Sequence, residues 1–198
     1  MTGVVILAAG ASTRLGAPKQ QLLFRGKTLL QRAVGAALKS VCAPAVVVLG
    51  ANAEALADDL NAMPVTVVQN REWQEGMGAS VRCGLNNLLQ QQPELSACIF
   101  MVCDQPYISA SVLNALVQVR QEWKKGIVAS AYNDTFGTPV LFDKVYFPDL
   151  LRLQGQEGAK KIIMQHREDV ASVPFPQGAT DIDTATDYAA LLQKDADV

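Results

Sequence analysis

The chain has 198 residues, 49% hydrophobic and 18% charged, with a formal net charge of −2, which suits one folded domain with a substantial core and excludes a disordered chain. Six cations and no acid precede Glu54, leaving eleven cations against nineteen acids beyond it; this split is expected of an anion-attracting N-terminal face and a carboxylate-rich distal part able to hold a metal. The cations are too few and too poorly interleaved with aromatics for a nucleic-acid surface, and no apolar run approaches the roughly 18 to 20 residues of a membrane-spanning helix.

The first element, VVILAA at 4–9, is a β-branched apolar run that reads as a buried strand. It could imitate a secretory segment, but no cationic leader precedes it and Arg14 and Lys19 follow at once, so a cytoplasmic protein is expected. The strand runs into GASTRLGAPKQ. The dinucleotide fingerprint Gly-x-Gly-x-x-Gly fails there, because Gly10 is followed by Ser12 and then Gly16. GKT at Gly26–Thr28 is no P-loop either, since the earlier glycine would fall at Gln21. What remains is a loop of small residues whose amides can approach an anion closely, with Arg14 and Lys19 supplying the charge that a triphosphate needs.

Helical spacing over 28–40 is followed by a strand AVVVLG at 45–50, a helix over 52–62 and a strand VTVV at 65–68. Over 78–92, Val81, Leu85, Leu88 and Leu89 fall on one helical face. ACIFMVC at 97–103 is a strand that ends at Asp104 and DQPYIS. In an α/β sheet a carboxylate at that end points into the ligand crevice, where it could hold magnesium against phosphate oxygens. Ser109 is the better N-cap for the helix over 109–123. Strand IVASAY at 127–132, strand TPVLF, two helical stretches around 144–168, a strand near 170–174 and a helix from 184 complete the chain. Strands alternating with helices predict a single three-layer, Rossmann-like α/β domain over 1–198, with a mostly parallel central sheet and one antiparallel strand. Its nucleotide-binding half is expected at about 1–105 and its acceptor-binding half at about 106–198.

Near the C-terminus, TDIDTATD places Asp181, Asp183 and Asp187 close together but lacks the glycine of a calcium loop. One carboxylate could complete a magnesium site with Asp104, and the residues alone do not choose between Asp181 and Asp183. Asp187, three residues after Thr184, suits the far half of a capping arrangement. Cys42, Cys83, Cys98 and Cys103 form no Cys-x-x-Cys pair and read as buried reduced thiols. The single histidine, His166, has no partners for a triad or a metal site and reads as a surface residue on a helix.

Six blocks in order, LAAGASTRLGAPKQQLLFRGKTLL, NREWQEGMGASVRCGL, MVCDQPYIS, GTPVLF, LQGQEGAKKII and DIDTATDY, together resemble the molybdenum cofactor cytidylyltransferase family. That family lies within the nucleotidyltransferases that use a Gly-rich N-terminal loop. The resemblance implies transfer of CMP from CTP to the terminal phosphate of molybdopterin or the molybdenum cofactor, with release of pyrophosphate. It implies that Arg14 and Lys19 grip the triphosphate and that Asp104 with Asp183 holds Mg2+. It places Leu7, Ala8, Ala9, Gly10, Asn70, Gly76 and Ser80 around the nucleotide, with Ser80 helping to read cytosine. Leu-Ala-Ala-Gly is similar to the cytosine-using members, whereas guanine-using ones carry Leu-Ala-Gly-Gly; the Ala9 methyl occupies space that a purine would need. A molybdoenzyme that receives the product is a further implied partner. Three departures, Thr138 for histidine, Gln156 for aspartate and Lys160 for arginine, fall in the C-terminal half and are expected to bear on the acceptor. Transfer to a sugar or polyol phosphate, guanylyl transfer from GTP, and a delivery protein without catalysis are the alternatives.

Overall fold

A seven-stranded sheet with helices on both faces organises residues 1–196, which this computed structural model describes. The elements follow in chain order: β1 (Thr2–Ala8), a small hairpin β2 (Leu23–Phe24) and β3 (Lys27–Thr28), α1 (Leu29–Leu38), β4 (Ala45–Leu49), α2 (Ala53–Asp58), β5 (Thr66–Gln69), α3 (Met77–Gln91) and β6 (Ala97–Val102). Next come α4 (Ala110–Trp123), β7 (Ile127–Tyr132), β8 (Thr135–Asp143), α5 (Phe147–Leu150), α6 (Ala159–Gln165), β9 (Val170–Pro174) and α7 (Ala185–Ala196). The sheet order is β5-β4-β1-β6-β8-β7-β9.

Strand β1 is buried along its whole length because both of its faces are covered. Val4, Ile6 and Ala8 face the layer that contains Val34 of α1, Leu56 of α2 and Leu113 of α4. Val5, Leu7 and Ala9 face the layer that contains Leu85 of α3, Leu150 of α5 and Ile162 of α6. The period of two therefore feeds both outer layers from one continuous apolar run.

One strand runs against the others, as the sequence predicted. β8 is antiparallel to both β6 and β7, and β9 then pairs parallel to β7. The cause is local: Asn133 and Asp134 both take positive φ, 48° and 54°, so a two-residue hairpin turn joins β7 to β8. β8 consequently begins at Thr135, ahead of the expected TPVLF run.

Other differences also have local reasons. The helix expected over 52–62 stops at Asp58; the carboxylates of Asp58 and Asp59 sit unfavourably at the negative end of a helix dipole. The expected helical stretches around 144–168 form α5 and α6, separated by an irregular loop containing Gly155 at φ 53°. The hairpin β2–β3 interrupts a segment with no predicted strand, turning at Arg25 and Gly26 with φ 51° and 74°. Immediately after it, Thr28 and Gln31 form a reciprocal capping box that starts α1.

That hairpin matters because α7 docks on it. Phe24, Leu29, Ile182 and Leu191 form a separate apolar cluster, and the Tyr188 hydroxyl donates to the Leu23 carbonyl at 2.8 Å. Burial of each such side chain contributes about 1.5–3 kcal/mol relative to exposure, enough to fix the 181–184 segment beside the loop after β1. Among the described residues no helix is long and apolar enough to cross a membrane.

Candidate active site

The loop after β1 is held by its own side chains. Gln20 is fully buried; its Nε2 donates to the carbonyls of Ala8 and Gly10, both at 2.9 Å, while its Oε1 accepts from Ser12 Oγ at 3.3 Å. Ser12, at φ 54°, also accepts the Lys19 backbone N–H at 3.0 Å. These bonds close a ring that presents Gly10, Arg14 and Lys19 to one cleft. The cleft has a volume of about 460 Å³. Gln20, set between Lys19 and Gln21, carries no local sequence signal of its burial.

Four charged groups converge at one end of this cleft. Lys19 Nζ donates to Asp104 Oδ2 at 2.6 Å and to Asp183 Oδ1 at 2.9 Å, and Arg14 donates to Asp183 Oδ2 at 2.8 Å. Burial would lower the Lys19 pKa, but Asp104 and Asp183 outweigh it and the pKa rises above its ordinary value. Burial pushes Asp104 up, and the adjacent Lys19 ammonium opposes that shift. Asp183 lies below its usual range, chiefly through its hydrogen bond from Lys19. The structure thus brings Asp183, rather than Asp181, to the lysine. Asp187 braces the same turn by accepting from Thr184 N and Thr184 Oγ1, both at 2.7 Å, and from Asp183 N at 3.2 Å.

Hard carboxylate oxygens from the loop after β6 and from the 181–184 segment meet at a point that a single ammonium already occupies, so the donor set fits a small divalent cation. No cluster of three or more His, Cys, Asp or Glu groups able to hold a metal occurs among the described residues. Further ligands for such a cation would therefore come from phosphate and water.

Leu7, Ala8, Ala9, Gly76 and Ser80 line the rest of the cleft. Asn70 does not; it is buried behind Ser80, to which its Nδ2 donates at 3.1 Å. Trp73 and Gln156, neither of them expected at the nucleotide, are lining residues as well. Gln156 reaches the cleft because its loop folds back on the start of α3. The Gly155 carbonyl accepts the Gly78 N–H at 3.0 Å, and any side chain at Gly76, which has φ 120°, would collide with that carbonyl. Gln156, expected on the acceptor side, thus lines the cleft of Arg14 and Lys19, and both Gln156 and Asp183 reach it from beyond residue 105. Ser109 occupies the N-cap position of α4, but its hydroxyl pairs with Ser111 Oγ at 2.8 Å and makes no cap bond.

Thr138 and Lys160 line a second hollow of about 320 Å³, whose walls include Val81, Phe100, Phe136 and Ile163. It joins the first through Leu7, Met77 and Val102, which line both. Cys103 borders the nucleotide cleft, but burial pushes its thiol up to about 12, which leaves no thiolate for chemistry near neutrality. All four cysteines are free, three of them buried and Cys83 half-buried. His166 follows α6 as its cap, half-buried with its ring 5.0 Å from that of Tyr146, and lines neither hollow.

A cleft at the carboxyl ends of a mostly parallel sheet, with two cations set against two carboxylates, is the ligand site of an open α/β protein. Residues 4–170 match the MobA-like NTP transferase domain family, and the chain belongs to that family of nucleotidyltransferases. It is 32% identical to the nicotine blue oxidoreductase of Paenarthrobacter nicotinovorans, covering 97% of this chain and 96% of the relative. The purine catabolism protein PucB of Bacillus subtilis (strain 168) is 28% identical, covering 93% and 92%. The molybdenum cofactor cytidylyltransferase of Escherichia coli (strain K12) is 20% identical, covering 96% and 95%. Among solved structures, Rv0371C of Mycobacterium tuberculosis in complex with manganese superposes with a TM-score of 0.80 at 28% identity, covering 97% of this chain and 98% of that one.

Proposed function

We propose that the protein transfers CMP from CTP to the terminal phosphate of molybdopterin or the molybdenum cofactor, releasing pyrophosphate. The observation that carries this reading is the convergence of Arg14, Lys19, Asp104 and Asp183 at one end of a cleft whose other walls hold Ala9 and Ser80. Charge sits where a triphosphate would lie, and small residues sit where a base would lie.

The acceptor phosphate attacks the α-phosphorus in line; a new P–O bond forms as the bond to pyrophosphate breaks. Such a nucleophile is ionised at neutral pH, so no general base is needed, in keeping with a site that lacks histidine. Arg14 and Lys19 bind the triphosphate, and Gln20 and Ser12 keep the loop amides facing it. Asp104 and Asp183 would hold Mg2+, which when bound neutralises phosphate charge. The manganese complex of Rv0371C and the cytidylyltransferase among the relatives support the metal and the reaction.

The second hollow favours a second reading. The walls there are largely apolar, with Tyr132, Thr135, Thr138 and Lys160 as the polar groups, so nothing in them is particular to a pterin. Nucleotidyl transfer to another phosphorylated acceptor therefore stays in play. A matrix of CTP, GTP and UTP against molybdopterin, sugar phosphates and polyol phosphates, followed by pyrophosphate release with and without Mg2+, tests both. CTP- and pterin-dependent release supports the first reading, and CTP-dependent release with another acceptor supports the second. Turnover with GTP equal to that with CTP removes the base assignment. Binding of nucleotide without release under any metal concentration indicates a delivery protein, and oxidation or reduction of nicotine blue by the purified protein would place the activity with the Paenarthrobacter relative instead.

A further inference from the structure

One wall of the cleft beside Arg14 and Lys19 carries a hydrogen-bond chain whose direction is fixed as far as Ser80. Asn70 and Ser80 are each 4% exposed. The backbone N–H of Glu72, which can only donate, is 3.0 Å from Asn70 Oδ1. The other end of that side chain is therefore its amino group, and it donates to Ser80 Oγ at 3.1 Å. Ser80 thus spends one of its two lone pairs on Asn70, and its proton has no acceptor among the described residues, while the residue lines the cleft.

We propose that Asn70 is a positioning residue that biases Ser80 to donate toward the bound base. A free hydroxyl rotates and can either donate or accept, so it would tolerate bases of either polarity. A hydroxyl held as donor selects an edge with a lone pair, such as N3 of cytosine, over one with an N–H, such as N3 of uracil. The choice of cytosine rests on the CTP reading above; the polarity of Ser80 does not.

Asn70→Asp provides the test. The new carboxylate is nearly isosteric and still accepts from Glu72 N–H, but it has no proton to give Ser80 at neutral pH. Ser80 would then donate to it and turn a lone pair to the cleft. The readouts are the CTP-to-UTP ratio of kcat/KM for pyrophosphate release and the same ratio of Kd from quenching of Trp73, which lines the cleft. The extra charge weakens both nucleotides alike and cancels in the ratio. The expected result is a fall in CTP preference of about tenfold to a hundredfold in Asn70→Asp, carried mainly by KM. A smaller fall is expected in Asn70→Ala, where the hydroxyl rotates freely. In a Ser80→Ala background Asn70→Asp should add nothing to the ratio.

An unchanged ratio in Asn70→Asp, a larger fall in Asn70→Ala, or an Asn70→Asp effect that persists without Ser80 each overturns the proposal. Should Asn70→Asp fail to fold, Ser80→Ala alone decides, since an unaltered ratio there removes the donor role. Wild-type turnover without pyrimidine discrimination sinks this proposal and leaves cytidylyl transfer standing. Discriminating binding without turnover does the reverse.

Discussion

The two hollows that meet at Leu7, Met77 and Val102 are built by opposite means. The cleft beside Arg14 and Lys19 is charged at one end and locked: Gln20 and Ser12 tie its loop, and Lys19 ties Asp104 to Asp183 across 79 positions of chain. The neighbouring hollow is walled by Phe100, Phe136, Val81 and Ile163 from separate elements, with polar groups only around them. Fixed charges and directed hydrogen bonds discriminate strongly, because a wrong ligand leaves them unpaired; apolar walls discriminate by shape and far more weakly. In the proposed reaction the nucleotide would thus be specified by chemistry and the acceptor by space.

Substitutions on the two sides should separate in the same way. The largest effect is expected from Asp104→Asn, which should lower kcat by about 100- to 1000-fold while changing nucleotide KM little, as stopped-time pyrophosphate assays would register. Comparable losses of kcat and of nucleotide binding would instead make Asp104 a binding group. Next, Gln20→Leu removes the donor to the Ala8 and Gly10 carbonyls and should cost about 1–3 kcal/mol in urea unfolding, with a raised nucleotide KM. Gln156→Asp should raise nucleotide KM roughly fivefold, about 1 kcal/mol, without moving acceptor KM. The opposite pattern would return Gln156 to the acceptor side. Lys160→Met is expected to raise acceptor KM by about threefold and to leave nucleotide KM alone.

The smallest effect concerns pH. Asp183 is held below its ordinary value of 3.8, so its contribution to stability is present above that value and is lost as pH falls through the lowered one. Asp183→Asn should therefore narrow its Tm deficit against wild type between pH 5 and pH 2. A deficit constant over that range would mean that the ion pair with Lys19 adds nothing to the fold.

Much of this was legible in the chain itself, and what was not shares one physical cause. The alternation of apolar runs and helical faces gives the three layers, and Asp104 at a strand's carboxyl end, with Arg14 and Lys19 in a small-residue loop, marks the charged end of the cleft. Asn133 and Asp134 could have announced the β7–β8 hairpin, since that pair suits a turn with two positive φ values. Gln156 could not be placed, because its position depends on a loop carbonyl meeting the Gly78 amide 77 residues away along the chain. The choice of Asp183 over Asp181 likewise depends on α7 packing against Phe24, a contact between the two ends of the chain. Local pattern identifies which residue types can act; only long-range packing decides which of them meet.

The lysine between the two carboxylates has a thermodynamic consequence. Any divalent cation approaching Asp104 and Asp183 must first evict an ammonium, and a triphosphate offers that ammonium somewhere else to go. Cation and nucleotide then assist each other by one shared factor, whichever arrives first, because the coupling between two ligands is reciprocal. Carboxylates balanced by their own lysine have little reason to collect metal from solution until a nucleotide is there to draw that lysine away.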